Sequence, residues 1–323
     1  HATLTPTALP QPLHPRAPHN EVLSRHHPDT QGGGGAVVDR LTESCASHGV
    51  EVGGHFYPGF PAGGKDPKTM ISFFAVAYDQ GPDTAVLASA TDFAGNQTKM
   101  GFHCRIRAKS FRKDVLNISD AFISSRMVPL LAAAGQSETD LTKVFLAVNR
   151  DMRQANYDQL TGLGKQTIPE KLWQGSFLRL PKSSNRAQFA DHRVYRYKGE
   201  VVDRQVHLGA DLASVQQSPI PAANNGRVVF AEAVGIYGNT VVLDHGFGLF
   251  SLYAHLSAIK VQTGDRVDKG DTIGQTGVTG LAVGDHLHFG MMVHDTFVNP
   301  IEWWDDHWIN DNILTKLKLV EPV

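Results

Sequence analysis

The stretch Asp285-His286-Leu287-His288-Phe289-Gly290 predicts a β-strand with two histidines on one face. Side chains alternate along a strand, so His286 and His288 lie together while Leu287 and Phe289 point the other way, into a core. Such a strand suits a metal site with a proton-transfer group beside it. It also suits one exposed and one buried structural histidine, and the spacing alone does not separate these interpretations.

A second cluster lies upstream, in Val206-His207-Leu208-Gly209-Ala210-Asp211. His207 and Asp211 share a face in a helix and in a strand alike, and the residues around Gly209 favour a strand or a turn. With His288 they form a set of nitrogen and oxygen donors that suits Zn²⁺ and leaves a fourth position for water. Because no cysteine lies nearby to close the site, the pattern is typical of catalytic zinc.

A third histidine, His255, ends the apolar run 249–254. A metal-activated water needs a group to accept its proton, and a tetrahedral intermediate needs a donor for its oxyanion. His286 and His255 are the candidates for these two roles because neither is needed as a ligand. An imidazole titrates close enough to neutral pH to act as the base.

Composition excludes some classes of protein. The chain has 323 residues and a net charge of -2, so it offers no strongly basic field for nucleic acid. No apolar run is long enough to span a bilayer. Because the first residue is His1, a signal peptide or membrane anchor upstream would be invisible. The two cysteines, Cys45 and Cys104, predict either one disulfide or two free thiols.

The chain divides into five predicted segments, and the fold class is mainly β. Residues 1–35, rich in proline and ending in four glycines, predict a flexible lead-in. Short alternating runs over 36–110 predict a small antiparallel β-domain. Residues 111–172 predict a helical connector, with Ser119 or Asp120 capping one helix and a cap-like start at 137–140 opening another. Residues 173–300 predict a β-sheet or open barrel, and 301–323 a C-terminal helix.

Three motifs in order resemble the M23 metallopeptidases, the LytM/lysostaphin-type peptidoglycan endopeptidases. They are His207-x-x-x-Asp211, then Tyr253-Ala-His255-Leu-Ser257, then Gly284-Asp-His286-Leu-His288-Phe289. The resemblance runs from about Phe189 to Trp304 and includes the glycine-rich stretch 267–280. The earlier β-domain, with its turn at 92–96, resembles the Ig-like module that precedes some Gram-negative M23 domains.

The resemblance implies an antiparallel, open-barrel LytM-type domain that binds Zn²⁺ through His207, Asp211 and His288. It also implies that His286 is the general base and that His255 orients water or stabilises the oxyanion. The implied substrate is the peptide part of peptidoglycan, either stem cross-links or cross-bridges. Members of this architecture are exported, which implies an extracytoplasmic location, periplasmic or in the cell envelope, and favours a Cys45–Cys104 disulfide.

Some features depart from the family pattern. Phe189-Ala-Asp-His-Arg193 stands where Phe-Gly-x-Arg is expected, and either Tyr195 or Tyr197 is a candidate for the groove tyrosine upstream of the first ligand. Three further histidines near the site in sequence are interpreted as structural or exposed: His192, His245 and His294.

Two alternatives to catalysis remain. A latent or regulatory LytM-type module would bind the wall or activate another hydrolase, although such relatives usually lack ligands that this chain retains. A biotinyl-type carrier is disfavoured because Lys269 lies in a Val-x-Lys-Gly context. We also hypothesise that the N-terminal half limits access to the groove, because a long non-catalytic half precedes the metal motifs.

Overall fold

The computed structural model describes residues 17–25, 27, 29–63 and 66–320, and the fold is mainly β as predicted. In chain order the strands are β1 (Asn20–Val22), β2 (Gly34–Leu41), β3 (Ser47–Val52), β4 (His55–Pro61), β5 (Thr69–Ala75), β6 (Val86–Thr91), β7 (Gln97–Gly101), β8 (Lys113–Ile118), β9 (Ser184–Ala187), β10 (His192–Tyr197), β11 (Glu200–Val206), β12 (Ala210–Ala213), β13 (Pro219–Pro221), β14 (Gly226–Val234), β15 (Gly238–Asp244), β16 (Leu249–Leu256), β17 (Ala258–Ile259), β18 (Arg266–Val267), β19 (Thr272–Gln275), β20 (Leu287–Val293) and β21 (Thr296–Val298).

The N-terminal strands form one sheet in the order β1-β2-β5-β4-β3-β6-β7, with every neighbouring pair antiparallel. The predicted turn between β6 and β7 follows from Asp92, whose Oδ1 accepts hydrogen bonds from the backbone N–H groups of Ala94 and Asn96. Gly95 takes a φ of 89° there, which a glycine adopts without strain.

The prediction of a flexible lead-in over residues 1–35 is wrong where the structure describes that segment; residues 1–16 lie outside the described part. Strand β1 pairs with β2, and the glycine run 32–35 is buried. A Cβ added at Gly35 would lie 2.5 Å from the ring of Phe74, and one at Gly33 would lie 2.5 Å from Oε1 of Glu302. These glycines are therefore explained by close packing between elements.

The segment after the first sheet contains one more strand and two helices. Strand β8 pairs in parallel with β10, which pairs with β11. The first helix runs through Asp120–Phe122, Ile123–Met127 and Val128–Ala133, and Ser119 caps it as predicted. The second helix runs through Leu141–Leu146, Ala147–Met152 and Arg153–Gly162, with Asp140 as its cap, and a 3-10 turn follows over Leu163–Lys165.

The second half is built on a large antiparallel sheet in the order β18-β14-β15-β16-β20-β12-β9, with β21 beside β20. A smaller sheet, β13-β19-β17, lies next to it. A short 3-10 turn, Gly235–Tyr237, joins β14 to β15. All residues of β16 and β20 are buried, which explains why these strands are almost continuously apolar.

The predicted single C-terminal helix is broken. Helix Pro300–Trp304 ends at Asp305, whose Oδ1 accepts from the N–H groups of His307 and Trp308 and caps the next stretch. That stretch runs through Asp306–Ile309, Asn310–Leu314 and Thr315–Leu317. A side-chain cap in mid-run offers the backbone an alternative to continued helix, and the apolar pattern alone does not reveal it.

One hydrophobic core extends from the N-terminal sheet into the second half. Phe73 of β5 packs 6.4 Å from Phe247 and 6.5 Å from Trp173, measured between ring centroids. The favoured Cys45–Cys104 disulfide is wrong, because both thiols are free and Cys104 Sγ donates to Asp29 Oδ2 at 3.0 Å. Among the described residues, no helix is long and apolar enough to cross a membrane.

Candidate metal centre

Three strands place the central side chains. In the register of the large sheet, Asp211 of β12 lies opposite His288 of β20, and Ala254 of β16 lies opposite His288 on the other side. His207 follows β11 and is held by two backbone hydrogen bonds: its N–H donates to Asp191 O, and its carbonyl accepts from Ala190 N. The sheet and this short connection bring together residues separated by 81 positions.

The three predicted ligand residues form a compact triangle of donor atoms. His207 Nε2 lies 3.0 Å from Asp211 Oδ1 and 3.0 Å from His288 Nδ1, and the last two atoms are 2.9 Å apart. Both histidines are buried and the carboxylate is partly buried. Tetrahedral Zn²⁺ with ligands at about 2.05 Å separates its donors by roughly 3.3 Å, so this triangle has nearly the size that the ion needs.

Neighbouring groups orient the two histidines. Nδ1 of His207 donates to Gln188 O at 2.9 Å, which leaves the lone pair of Nε2 directed at the triangle. Gly209 lets the ring of His288 approach closely, because a Cβ at that position would lie 2.6 Å from His288 Nε2. That Nε2 is buried and, within the described residues, has no hydrogen-bond partner.

His286 and His255 flank the triangle. His286 Nε2 lies 3.6 Å from Asp211 Oδ1, and its Nδ1 donates to Gly284 O at 2.7 Å. His255 Nδ1 donates to Thr279 O at 2.9 Å, and the His255 ring lies 4.8 Å from that of His286. In both rings the backbone carbonyl therefore fixes the proton on Nδ1 and leaves Nε2 as an acceptor.

Burial and charge set the ionisation of this cluster. Burial disfavours the Asp211 carboxylate, but His207, His286 and His288 hold its pKa well below the usual value. Burial opposes protonation of His286, yet the hydrogen bond and the charge of Asp211 raise its pKa. Burial, with His286 and His288 nearby, lowers the pKa of His255 to about 3. The centre thus combines a carboxylate with two flanking imidazoles whose pKa values are shifted in opposite directions.

The other aromatic and histidine candidates divide clearly. Tyr195 lines the cavity that contains the triangle, whereas Tyr197 donates its hydroxyl to Asp120 Oδ1 at 2.8 Å. His245 is buried between Asn225 O and Ser251 Oγ, and His294 is buried as well. His192 packs its ring against Tyr78 and Phe111. These three histidines are accordingly structural.

The cavity also contains residues that sequence reasoning missed. It has a volume of about 1150 Å³, and the first and second helices and β8 line it together with the triangle. Arg193 Nη2 lies 3.6 Å from Asp211 Oδ2, the oxygen that faces away from the histidines. Tyr237 packs 5.6 Å from the ring of His288. The looser motif around Phe189 gave a hint of Arg193, and Tyr237 stands in the stretch Tyr237-Gly-Asn239, which resembles the family. The helices were predicted as a connector, but no sequence signal placed them or Tyr237 against the triangle.

Residues 205–300 match the model of peptidase family M23. The relatives include the DD-carboxypeptidase/endopeptidase Mpg of Neisseria meningitidis, 39% identical over 30% of this chain and 22% of Mpg. They also include the peptidoglycan DD-endopeptidase ShyA of Vibrio cholerae, 31% identical over 52% of this chain and 38% of ShyA. The matches therefore span less than half of these curated relatives.

A similar solved structure covers more of the chain. A crystal structure from Pseudomonas aeruginosa, described as a candidate M23 peptidase, aligns with 84% of this chain and 93% of its own length at a TM-score of 0.53. Its sequence identity is 18%, so the likeness concerns the fold alone. It extends the shared architecture beyond the M23 domain into the N-terminal half.

Proposed function

We propose that this protein is a zinc-dependent endopeptidase that hydrolyses peptide cross-links of bacterial peptidoglycan. The observation that carries the proposal is the triangle of His207, Asp211 and His288 with two further histidines beside it. The relatives named as peptidoglycan DD-endopeptidases support the substrate class and, with it, an extracytoplasmic location, periplasmic or in the cell envelope.

The residues present fit a catalytic zinc ion. His207 Nε2, Asp211 Oδ1 and His288 Nδ1 would hold it, and the described part of the chain offers no fourth side chain in this group. A set of three protein ligands leaves one position open for water or substrate. When bound, the ion acts as a Lewis acid toward the scissile carbonyl and makes water nucleophilic near neutral pH.

The chain's own residues supply the proton chemistry. His286 accepts a proton at Nε2, because its Nδ1 is already bound to the Gly284 carbonyl. The same tautomer argument makes His255 Nε2 an acceptor, which supports orientation of the attacking water over donation to the oxyanion. Arg193 contacts the outer oxygen of Asp211 and positions the carboxylate.

Metal analysis tests the zinc requirement. We expect one zinc per chain in the purified protein, loss of hydrolysis of isolated sacculi after chelation, and recovery when zinc is returned. A chain that hydrolyses sacculi equally well with and without zinc would contradict the proposal. A chain that binds zinc and leaves sacculi intact would favour the latent or regulatory module.

A further inference from the structure

The second helix forms part of the wall of the cavity that contains the triangle, and it contributes the cation Arg153 to that wall. Asn149, Arg153 and Tyr157 line the cavity on successive turns of this helix. The helix is docked beside the triangle because Asn156 Oδ1 accepts from the N–H of Ile236, in the turn Gly235–Tyr237. Side chains on this face therefore line the same cavity as the predicted metal ligands.

Two hydrogen bonds to Asn149 hold the Arg153 side chain in place. Its Nε donates to Asn149 O at 2.9 Å, and its Nη2 donates to Asn149 Oδ1 at 2.8 Å. Asn149 is fully buried and donates in turn to Asp203 Oδ2 at 2.7 Å. These hydrogen bonds fix the plane of the guanidinium, and within the described residues they leave Nη1 and the second N–H of Nη2 available as a fork. A preorganised fork of this kind loses little entropy when it binds an anion.

Within the described residues, Arg153 makes no ion pair, and its hydrogen bonds go to the neutral backbone and amide of Asn149. The carboxylate of Asp203 is reached only through Asn149. The charge is nevertheless felt at the site: burial raises the pKa of Tyr237, and Arg153 opposes this rise. A half-buried cation without a carboxylate costs solvation free energy, which an anionic ligand can restore.

We propose that Arg153 binds a carboxylate of the peptide substrate, so that the helical wall selects acidic peptides for the metal site. This inference rests on the proposed function, and it names the class of peptide: one with a free carboxyl group beyond the scissile bond. The bidentate geometry of guanidinium and carboxylate gives both affinity and orientation. Arg153 is thereby a specificity-determining residue contributed from outside the M23 domain.

A matched control lies on the same helix. Arg150 is exposed, pairs with Asp151 at 2.7 Å and does not line the cavity. The full-length, zinc-loaded protein is compared with Arg153→Gln, Arg153→Lys and Arg150→Gln. Two probes are used: a cross-linked muropeptide with free carboxyl groups, and the same muropeptide with those groups converted to amides. Binding is measured in a His286→Ala background, and kcat and KM in the otherwise unchanged protein.

We expect the parent protein and Arg150→Gln to bind the acidic muropeptide roughly tenfold more tightly than the amide, as for a hydrogen bond between charged groups. Arg153→Gln should lose this preference through weaker binding of the acidic form alone, and Arg153→Lys should retain part of it. Zinc content and kcat on the amide should be unchanged.

The assignment would be overturned if Arg153→Gln kept the preference for the acidic muropeptide. It would also be overturned if the parent protein bound both muropeptides equally or bound neither of them. If Arg153 controls the binding preference while neither muropeptide is cut, the inference stands and the proposed hydrolysis fails. The same set of variants therefore tests the binding preference and the hydrolysis separately.

Discussion

His288 lies in β20 and His286 lies just before that strand, in an isolated bridge to Gly277, and their surroundings give them different chemistry. His288 presents Nδ1 to His207 and Asp211 at 3.0 and 2.9 Å, whereas His286 reaches Asp211 only at 3.6 Å and anchors its own Nδ1 on Gly284. His255 takes a φ of 68°, a left-handed conformation that costs free energy outside glycine. Strain of this kind collects at functional sites.

Because His207 is proposed as a ligand and His286 as the general base, their substitutions should affect zinc content and turnover differently. His207→Ala removes one corner of the donor triangle and should reduce the zinc content well below one per chain. His286→Ala leaves the triangle intact and should keep zinc while turnover falls by roughly 10²–10⁴-fold, the usual contribution of a general base. Full zinc stoichiometry in His207→Ala would refute the ligand assignment. Zinc is measured by atomic emission and turnover on purified muropeptides.

Substitution of Gly209 should weaken zinc binding although all three proposed ligands remain. In Gly209→Ala the new Cβ would meet the His288 ring at 2.6 Å, so the ring must shift from the position that sets its distances to His207 and Asp211. We expect zinc affinity to fall at least tenfold, measured by competition with a chelator of known affinity. Gly81→Ala is the control, because a Cβ there meets nothing within 4 Å. Equal zinc affinity in the two variants would show that the close approach is unimportant.

Much of the centre can be predicted from the sequence, and the reason is local. Strand alternation places His286 and His288 on one face, and the order of three motifs indicates which residues meet them. Arg153 carries no such signal, since it is one of 30 lysines and arginines in the chain, and Arg193 has only the hint of the motif around Phe189. Only the packing of the second helix and β10 around the triangle brings their guanidinium groups into the cavity.

At the scale of elements, the second helix links the N-terminal half to the metal centre. Its apolar stripe and its cap at Asp140 were predictable, because both depend on residues close in sequence. The stripe identifies the buried face but not its partner. Its partners include Tyr195 of β10, whose ring lies 5.6 Å from that of Phe145, and the turn Gly235–Tyr237, where a Cβ added at Gly235 would clash with Asn156.

Asn156→Ala should loosen this contact. The change leaves the buried N–H of Ile236 without its 2.9 Å hydrogen bond, which costs about 1–3 kcal/mol of unfolding free energy. If the helix is a wall of the groove, KM for muropeptides rises while zinc content is unchanged. The exposed Asp158→Ala is the control on the same helix. Faster turnover in Asn156→Ala would instead support the hypothesis that the N-terminal half limits access.

At the scale of the molecule, the two halves share one core, which the sequence did not indicate. Alternation predicts that Phe73 of β5 is buried, but it cannot show that Phe73 packs against Phe247, which lies in the turn between β15 and β16. The same limit explains the error over residues 32–35, where four glycines indicate flexibility locally but serve close packing globally. Domain boundaries at 35, 110, 172 and 300 stay predictions, and deletion of the N-terminal half would expose this core.

Buried neutral histidines predict that acid destabilises the molecule. Burial lowers the pKa of His245 and of His294 from 6.5 to about 4. Between these values the unfolded chain binds protons that the folded chain does not, so stability is complete above about pH 6.5 and falls toward pH 4. At pH 5 the loss is roughly 2 kcal/mol per histidine.

Urea unfolding at pH 7.5 and pH 5 measures this loss, and His245→Gln isolates one contribution. We expect His245→Gln to be less stable at pH 7.5, because its hydrogen bonds to Asn225 and Ser251 are disturbed, but to lose less free energy on acidification than the parent. An identical loss in both proteins would show that His245 is not kept neutral by the fold.

The central claim is that this chain cuts peptide cross-links of peptidoglycan at the centre formed by His207, Asp211 and His288. The most direct measurement is the muropeptide profile of isolated sacculi after incubation with the zinc-loaded protein, beside a matched His286→Ala sample. We predict that cross-linked muropeptides decline and that their uncross-linked monomers accumulate only with the parent protein. Unchanged profiles with zinc bound, or equal digestion by His286→Ala, would contradict the account.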